Sequence, residues 1–445
     1  MLKYAIIIPE GAADRPLDDL DGLTPLQSAT APNTDRLARA GRVGAASFVP
    51  QGFEPDADVV LASLLGYDPT IVHPRRAAFE SVAAGVELGA NDWALAVSLV
   101  TLDREERLLD HTAGGLGLAE TEALLRALAA RLAEATPHEA AGLEFIPLAG
   151  HRALLVDRSG RDWSGVETEP PWRALGQPIA KRRPRGGDEG AALLNDLMRL
   201  GREVFAGHEV NRTRAELGER EATLPWFWGE AQPITLDPLA GRVRHQRVAL
   251  LTDSDLMLGL AQAAGIEHAF RLPEPGGPLE VDPRMIGDAA VELLTNDDDA
   301  FDLVIAHHSG PARAALANDF AGKVAAIEAI DAHVVSPVAD ALEARAERGR
   351  GREGAANRDE DADPEADPDA GTGRWRLLIA PAVAVDTDAR RPTSAPAPFL
   401  IAGHRIASVL RFGALTESEA DESDLHIPTG HDLLEYFLFS GGVGR

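Results

Sequence analysis

The chain has no cysteine, which excludes disulfides, zinc–thiolate centres and thiol nucleophiles. Lysine is almost missing too. Lys3, Lys181 and Lys323 are the only three among 43 lysines and arginines, an arginine- and alanine-rich bias that reads as genome composition. Cations are outnumbered, since 71 aspartates and glutamates leave a formal charge of −28. Such a surface repels phosphate backbones and argues against a general nucleic-acid binder. No stretch approaches the roughly 18–20 apolar residues of a membrane span. The apolar run from Met1 to Pro9 is too short for a signal peptide and lacks a small-residue cleavage site, so the expected location is the cytoplasm. What is abundant is core material. With 445 residues, 45% hydrophobic and 26% charged, the chain can bury a large interior in two or three units.

Tyr4–Ile8 reads as a buried strand stopped by Pro9 and Gly11. Further strands are expected at Ala94–Leu102, Ala153–Val156, Arg247–Thr252, Phe301–His307, Arg374–Ile379 and Pro398–Ala402. Helices are expected at Pro32–Ala40, where Asn33, Thr34 and Asp35 can cap free amides, and at Ala119–Ala135, with Leu124, Leu125, Leu128 and Leu132 on one side. Others follow at Gly190–Phe205, Asp255–Ala264 and, as one long element, Gly322–Leu342. Arg158–Gly187, with Pro170-Pro171 and Lys181-Arg182-Arg183, reads as a linker or long loop. Alternating strands and helices in the second half imply an α/β core with a mostly parallel sheet. Residues 344–373, nearly without apolar side chains and rich in Asp, Glu and Pro at the end, read as a disordered acidic insertion.

Thr24-Pro25-Leu26-Gln27-Ser28-Ala29-Thr30-Ala31-Pro32-Asn33-Thr34-Asp35-Arg36-Leu37-Ala38 and Leu64-Leu65-Gly66-Tyr67-Asp68-Pro69 form two hallmark runs. Together with Arg76-Ala77, Gly85-Val86-Glu87-Leu88-Gly89, Leu99-Val100-Thr101 and Val210-Asn211-Arg212, they resemble the archaeal-type, cofactor-independent phosphoglycerate mutases, nearly end to end. The resemblance implies an alkaline-phosphatase-like α/β core, its mostly parallel sheet flanked by helices, with a smaller inserted α+β domain. The core would comprise residues 1–78 and 190–445, and the insert with its linker 79–189. It also implies a chemistry. Two divalent metals such as Mn, Mg or Zn activate a serine, which takes phosphate from phosphoglycerate and returns it to the neighbouring oxygen.

The positions that would carry this chemistry depart from the pattern. The first metal-binding aspartate is Glu10, in Pro9-Glu10-Gly11. The nucleophilic serine is Ala57, in Asp56-Ala57-Asp58, and alanine has no hydroxyl to phosphorylate. Ser63 lies six residues on, about 9 Å along a helix axis and on another side. An Asp-x-x-x-His ligand pair, which i, i+4 spacing would place on one helical face, is Ala312 and Leu316. An Asp-His pair after a strand is Ala382-Val383, and the last histidine is Pro392. Only Glu10 survives among the ligands, which points to a fold kept and a phosphoryl-transfer machinery lost, with no metal cofactor expected. A replacement single-metal site from Glu10, Asp58, His307 and Asp386 is the alternative, in which the protein remains an active mutase or related phosphotransferase. His308 and Asp388 are its neighbours, and adjacent strand histidines face opposite ways. His111 reads as a surface or loop histidine, and His404, His426 and His431 have no ligand spacing.

Arg76 and Arg390, with Arg75 and Arg391 beside them, stand where the resemblance places substrate-binding arginines, suited to carboxylate and phosphate. Lys181-Arg182-Arg183-Pro184-Arg185 reads as a solvated loop. The expected partner is phosphoglycerate or a similar anionic small molecule, with neither nucleic acid nor membrane.

Overall fold

The computed structural model describes residues 2–244, 246–272, 281–296, 301–356, 374–406 and 412–440. They fall into two compact units. One holds the described residues of Met1–His73, Leu236–Pro273 and Glu280–Arg445, and the other holds Pro74–Thr235.

The first unit is built on eight strands: β1 (Lys3–Pro9), β2 (Arg42–Ala46), β3 (Val248–Thr252), β4 (His268–Arg271), β5 (Leu303–His308), β6 (Trp375–Ile379), β7 (Ala397–Gly403) and β8 (His426–Ile427). Their spatial order is β4-β3-β5-β1-β6-β7-β2-β8. Only β7 runs antiparallel to its neighbours, β6 and β2. The other pairings are parallel. This is the expected α/β class with a mostly parallel sheet. Every residue of β1 and β5 is buried, as strands covered on both faces require. Lys3 fits such a strand because its ammonium donates to Phe301 O at 2.8 Å and Asp302 Oδ1 at 3.0 Å.

The expected long helix is broken. Phe320–Ile330 is α-helical, Asp331–Val335 forms a π turn, and a helix resumes over Ser336–Ala356. The widened turn presents the Asp331 carboxylate to the start of helix Pro32–Ala40. There it accepts from Thr34 N and Thr34 Oγ1, both at 2.7 Å, and from Asn33 N at 3.2 Å and Asn33 Nδ2 at 2.9 Å. That helix has no capping side chain of its own at Ala31. The cap anticipated from Asn33, Thr34 and Asp35 comes instead from nearly 300 residues away in sequence. The acidic insertion is also corrected in part. Residues 344–356 continue the last helix, since alanine, arginine and glutamate all favour it, whereas 357–373 lie outside the described residues.

The second unit centres on an antiparallel sheet. Strand Trp93–Leu102 pairs with Arg152–Asp157, Leu108–Asp110 and Leu224–Ala231, and Leu143–Pro147 extends the sheet beyond Arg152–Asp157. Helices Leu118–Ala135 and Asp188–Ala206 pack in the same core, with Leu124, Leu125, Leu128 and Leu132 buried. Gly201 lets helix Asp188–Ala206 approach strand Leu224–Ala231, because a Cβ there would lie 2.5 Å from the Pro225 ring. Hence this unit extends to Thr235 rather than ending at 189. The later helix and strand complete its sheet and core. Its long connection carries short 3₁₀ turns at Pro171–Ala174 and Ile179–Lys181, and pairs Val166–Glu167 with Arg185–Gly186.

The Asp331 cap generates a prediction. Asp331→Ala leaves the first-turn amides of Pro32–Ala40 without their acceptor in a buried setting, and should destabilise the chain by about 2–3 kcal/mol. Urea unfolding of the variant beside the wild type measures it; an unchanged midpoint would refute the capping role.

Candidate functional site

In a parallel sheet, chemistry gathers outside the carboxyl ends of the strands. At that edge of the first unit the loops after β1, β5 and β6 meet through their backbones. Gly11 N donates to Pro381 O at 3.1 Å, and Ala312 N donates to Glu10 O at 2.9 Å. Gly11 takes φ +75, and a Cβ there would lie 2.7 Å from Ala312, so glycine is needed for both conformation and space. Glu10, Ala312, Ala382 and Val383 thus share one crevice edge, and all four are buried. Ala312 and Leu316 lie in helix Gly310–Leu316, four residues apart as expected. Ala382 adopts φ 64, a left-handed conformation at the apex of a turn in which Val383 N donates back to Pro381 O at 2.8 Å. Pro392 faces Val385 in a small hairpin, Ala384–Asp386 with Arg391–Thr393. Ala57 is the first residue of helix Ala57–Leu64, and Ser63 is buried near its other end.

Glu10 is engaged by a neighbouring side chain. Its carboxylate lies 2.9 Å from His307 Nε2, and His307 Nδ1 lies 2.8 Å from Thr252 Oγ1. Ser254 N donates to the same hydroxyl at 3.0 Å. A neutral imidazole satisfies all three, with the hydroxyl proton on Nδ1 and the Nε2 proton on Glu10. This carboxylate–imidazole–hydroxyl chain resembles a catalytic relay, but both Thr252 and His307 are 0% exposed, so the hydroxyl meets no substrate. His308 turns the other way, as expected. Its Nδ1 accepts from Gly310 N at 3.0 Å and its Nε2 donates to Val281 O at 3.1 Å, and burial lowers its pKa.

Asp253 is the anionic centre of this edge. It accepts from Ser309 N at 2.9 Å, Ser309 Oγ at 3.0 Å and Arg313 Nη1 at 2.6 Å. Burial pushes its pKa up, yet the charge of Arg313 and its hydrogen bond outweigh that and hold it at about 2. Deeper still, Lys323 is 0% exposed, and its ammonium donates to Asp14 Oδ2 and Val385 O at 2.8 Å and to Ala13 O at 3.2 Å. The Thr387 hydroxyl donates to the same Asp14 oxygen at 2.6 Å.

The replacement metal site is not assembled. Among the described residues no three His, Asp or Glu side chains are grouped as metal ligands. His307 is committed to Glu10 and Thr252, while Asp386 is bound by Arg15 at 2.9 Å, and Asp388 by the same guanidinium at 2.8 Å. Asp58 is buried at the start of its helix, with Oδ1 accepting from Val59 N at 3.1 Å.

The two arginines fall in different units. Arg390 sits in the first, in the loop between the hairpin strands, with φ 51. Arg76 opens helix Arg76–Ala83 in the second, where its Nη1 donates to Glu80 Oε1 at 2.9 Å. Its Cζ lies 5.5 Å from the Trp228 ring centre and 6.0 Å from that of Trp172. Arg152 donates to the same Glu80 oxygen at 2.5 Å. His111 is not a solitary loop residue, because its ring lies edge-on to His151 and Trp172 at 6.3 and 6.4 Å. Beside it, burial pushes the Asp110 carboxyl up, but bonds from Thr112 N, Arg220 and the Thr112 hydroxyl bring it down to about 2.

Sequence reasoning missed Thr252, Asp253, Arg152, Trp172 and Lys323. The first two follow a buried strand directly, which is a usable signal. Lys323, one of three lysines and set in an apolar helix, was another. The tryptophans carried none.

Comparison with known proteins places this geometry. Residues 38–211 match the sequence model of a family described as 2,3-bisphosphoglycerate-independent phosphoglycerate mutase. The chain is 37% identical over 341 residues to 2,3-bisphosphoglycerate-independent phosphoglycerate mutase 2 of Methanothermobacter thermautotrophicus, across 77% of this chain and 81% of that one. It is 31% identical over 440 residues to the protein of Methanothrix thermoacetophila named 2,3-bisphosphoglycerate-independent phosphoglycerate mutase, covering 98% and 100%. A solved structure from Pyrococcus horikoshii superposes with a TM-score of 0.67 over 98% of this chain and 97% of that one, at 21% identity, and so shares the fold. The chain is thus an α/β protein of mutase architecture. It belongs to the 2,3-bisphosphoglycerate-independent phosphoglycerate mutase family. No helix among the described residues is long and apolar enough to cross a membrane.

Asp110 supplies a pH prediction. Its folded pKa of about 2 lies below the 3.8 of a free aspartate, so its contribution of about 2 kcal/mol is complete above pH 4 and lost as pH falls toward 2. Asp110→Asn should flatten the wild-type loss of stability across that window. Denaturant midpoints measured from pH 2 to 5 test it, and parallel curves for the two proteins would refute it.

Proposed function

We propose that this member of the family does not catalyse phosphoryl transfer and retains the binding of a small phosphorylated acid. The observation that carries the reading is the crevice edge itself. Its positions Ala312, Ala382 and Val383 are buried hydrocarbon, and the remaining carboxylate, Glu10, is already hydrogen-bonded to His307. Ala57 offers no nucleophilic oxygen. Two divalent cations need several anionic oxygens and imidazoles, and this donor set does not fit them. Asp253, the other carboxylate at that edge, is already occupied by Arg313 Nη1 at 2.6 Å. The enzymatic relatives act on phosphoglycerate by name, and arginine-bearing surfaces such as that around Arg76 suit a carboxylate or phosphate. That chemistry supports an anionic small molecule as the ligand.

The purified protein should convert no 3-phosphoglycerate to 2-phosphoglycerate with manganese, magnesium or zinc added, and elemental analysis should find no stoichiometric metal. Metal-dependent turnover would overturn the reading in favour of an active mutase with a relocated site. A variant combining Glu10→Asp, Ala57→Ser, Ala312→Asp, Leu316→His, Ala382→Asp, Val383→His and Pro392→His should gain bound manganese that the wild type lacks. Equal manganese in both proteins would show that these positions do not decide metal binding.

A further inference from the structure

Lysine chemistry in this chain has three places to fall, and the fold closes two of them. The Lys3 side chain is 7% exposed, and its ammonium donates to Phe301 O at 2.8 Å and Asp302 Oδ1 at 3.0 Å. Lys323 is 0% exposed and donates to Asp14 Oδ2, Val385 O and Ala13 O. A buried ammonium held by such acceptors keeps its protons and offers a reagent no path to its nitrogen. Lys181 is different. It is exposed, and no hydrogen bond or ion pair holds its side chain among the described residues.

The backbone that presents Lys181 is fixed. The basic run Lys181-Arg182-Arg183-Pro184-Arg185, expected as a solvated loop, is anchored on both sides. Ile179 is buried and donates its N–H to Glu106 O at 3.0 Å, and Arg182 N closes the turn Ile179–Lys181 on Ile179 O at 2.9 Å. Pro184 O accepts from Asn195 Nδ2 at 2.9 Å. Arg182 pairs with Glu169 at 3.1 Å, and Arg185 with Glu167 at 2.6 Å. Arg183, exposed beside Lys181, forms no ion pair among the described residues. Two adjacent cations thus stand outside any ion pair in a chain of formal charge −28.

We propose that Lys181 is the acylation site of the folded chain and that its donor is a small acyl phosphate. The ammonium first loses a proton to water. The nitrogen lone pair then attacks the acyl carbon and an amide C–N bond forms. The bond from that carbon to the phosphate oxygen breaks, phosphate leaves with the electron pair, and a second nitrogen proton passes to water. An acyl phosphate suits the position because it is anionic, so Arg183 and Lys181 attract it where most of the surface repels it. Acylation removes the Lys181 charge and with it part of that attraction.

Acetyl phosphate, incubated with the full native chain and followed by peptide mass spectrometry, tests this. Lys181 should be acetylated about tenfold or more above Lys3 and Lys323, since those two react only when the chain opens. Urea should level the three. Arg183→Gln should slow labelling of Lys181 by acetyl phosphate about threefold, the scale of one partly screened surface charge, and leave labelling by a neutral acetyl ester unchanged. Comparable acetylation of all three lysines in the native chain, or an unlabelled Lys181, overturns the site. Any response to Arg183→Gln other than slowing confined to acetyl phosphate overturns the anionic donor.

Discussion

The meeting of three loops at the carboxyl ends of β1, β5 and β6 constrains everything else in the first unit. Gly11 lets the backbones touch, and two main-chain hydrogen bonds lock Glu10 to Ala312 and Gly11 to Pro381. Behind them the Lys323 ammonium ties Ala13 and Asp14 to Val385. A buried ammonium with three oxygen partners is a cation supplied by the protein itself, and it holds its loops together. Breaking such a pair by removing one partner leaves an uncompensated charge, so the arrangement resists piecemeal change. The crevice is therefore shaped by covalently attached groups.

This explains how much was legible in the letters. The alternation of apolar runs and helical patterns was enough to read the mostly parallel sheet, and strands such as Tyr4–Ile8 lie inside the observed Lys3–Pro9. The register of these positions could be counted because motifs anchor it, Pro311 for Ala312 and Pro381 for Ala382 and Val383, and the structure brings their backbones together beside Glu10. What could not be read were interactions closing over long separations. The cap on Pro32–Ala40 comes from Asp331, and the π turn that presents it has no local signature. The second unit's boundary was misplaced for the same reason. No strand was expected at Leu224–Ala231, and its pairing with Trp93–Leu102 assigns it to this unit. Trp172 looked like one residue of an irregular loop, because its partners are not a property of the local sequence.

The charges of the first unit follow one logic. Glu10, Asp253, Asp14, Asp386 and Asp388 are each in contact with His307, Arg313, Lys323 or Arg15. Asp253, Asp14, Asp386 and Asp388 are each paired with a basic side chain, and Glu10 is hydrogen-bonded to the His307 imidazole. Each pairing is local, and together they leave no three-donor group among the described residues. On the proposed reading, loss of external cations and gain of internal ones are two faces of the same change. An anionic crevice stripped of its ions would repel itself, and basic side chains such as Arg313 and Arg15 relieve that repulsion.

Ala382 carries the argument one step further. A left-handed conformation costs an alanine roughly 1 kcal/mol, whereas aspartate and asparagine adopt it more readily. Alanine at φ 64 is therefore a poor local choice at the apex of this turn. The surroundings impose the conformation: Pro381 O is already engaged by Gly11 N and Val383 N, so the turn cannot relax without parting the loops. A backbone suited to a polar side chain persists around a methyl group because the three-loop junction outweighs the strain.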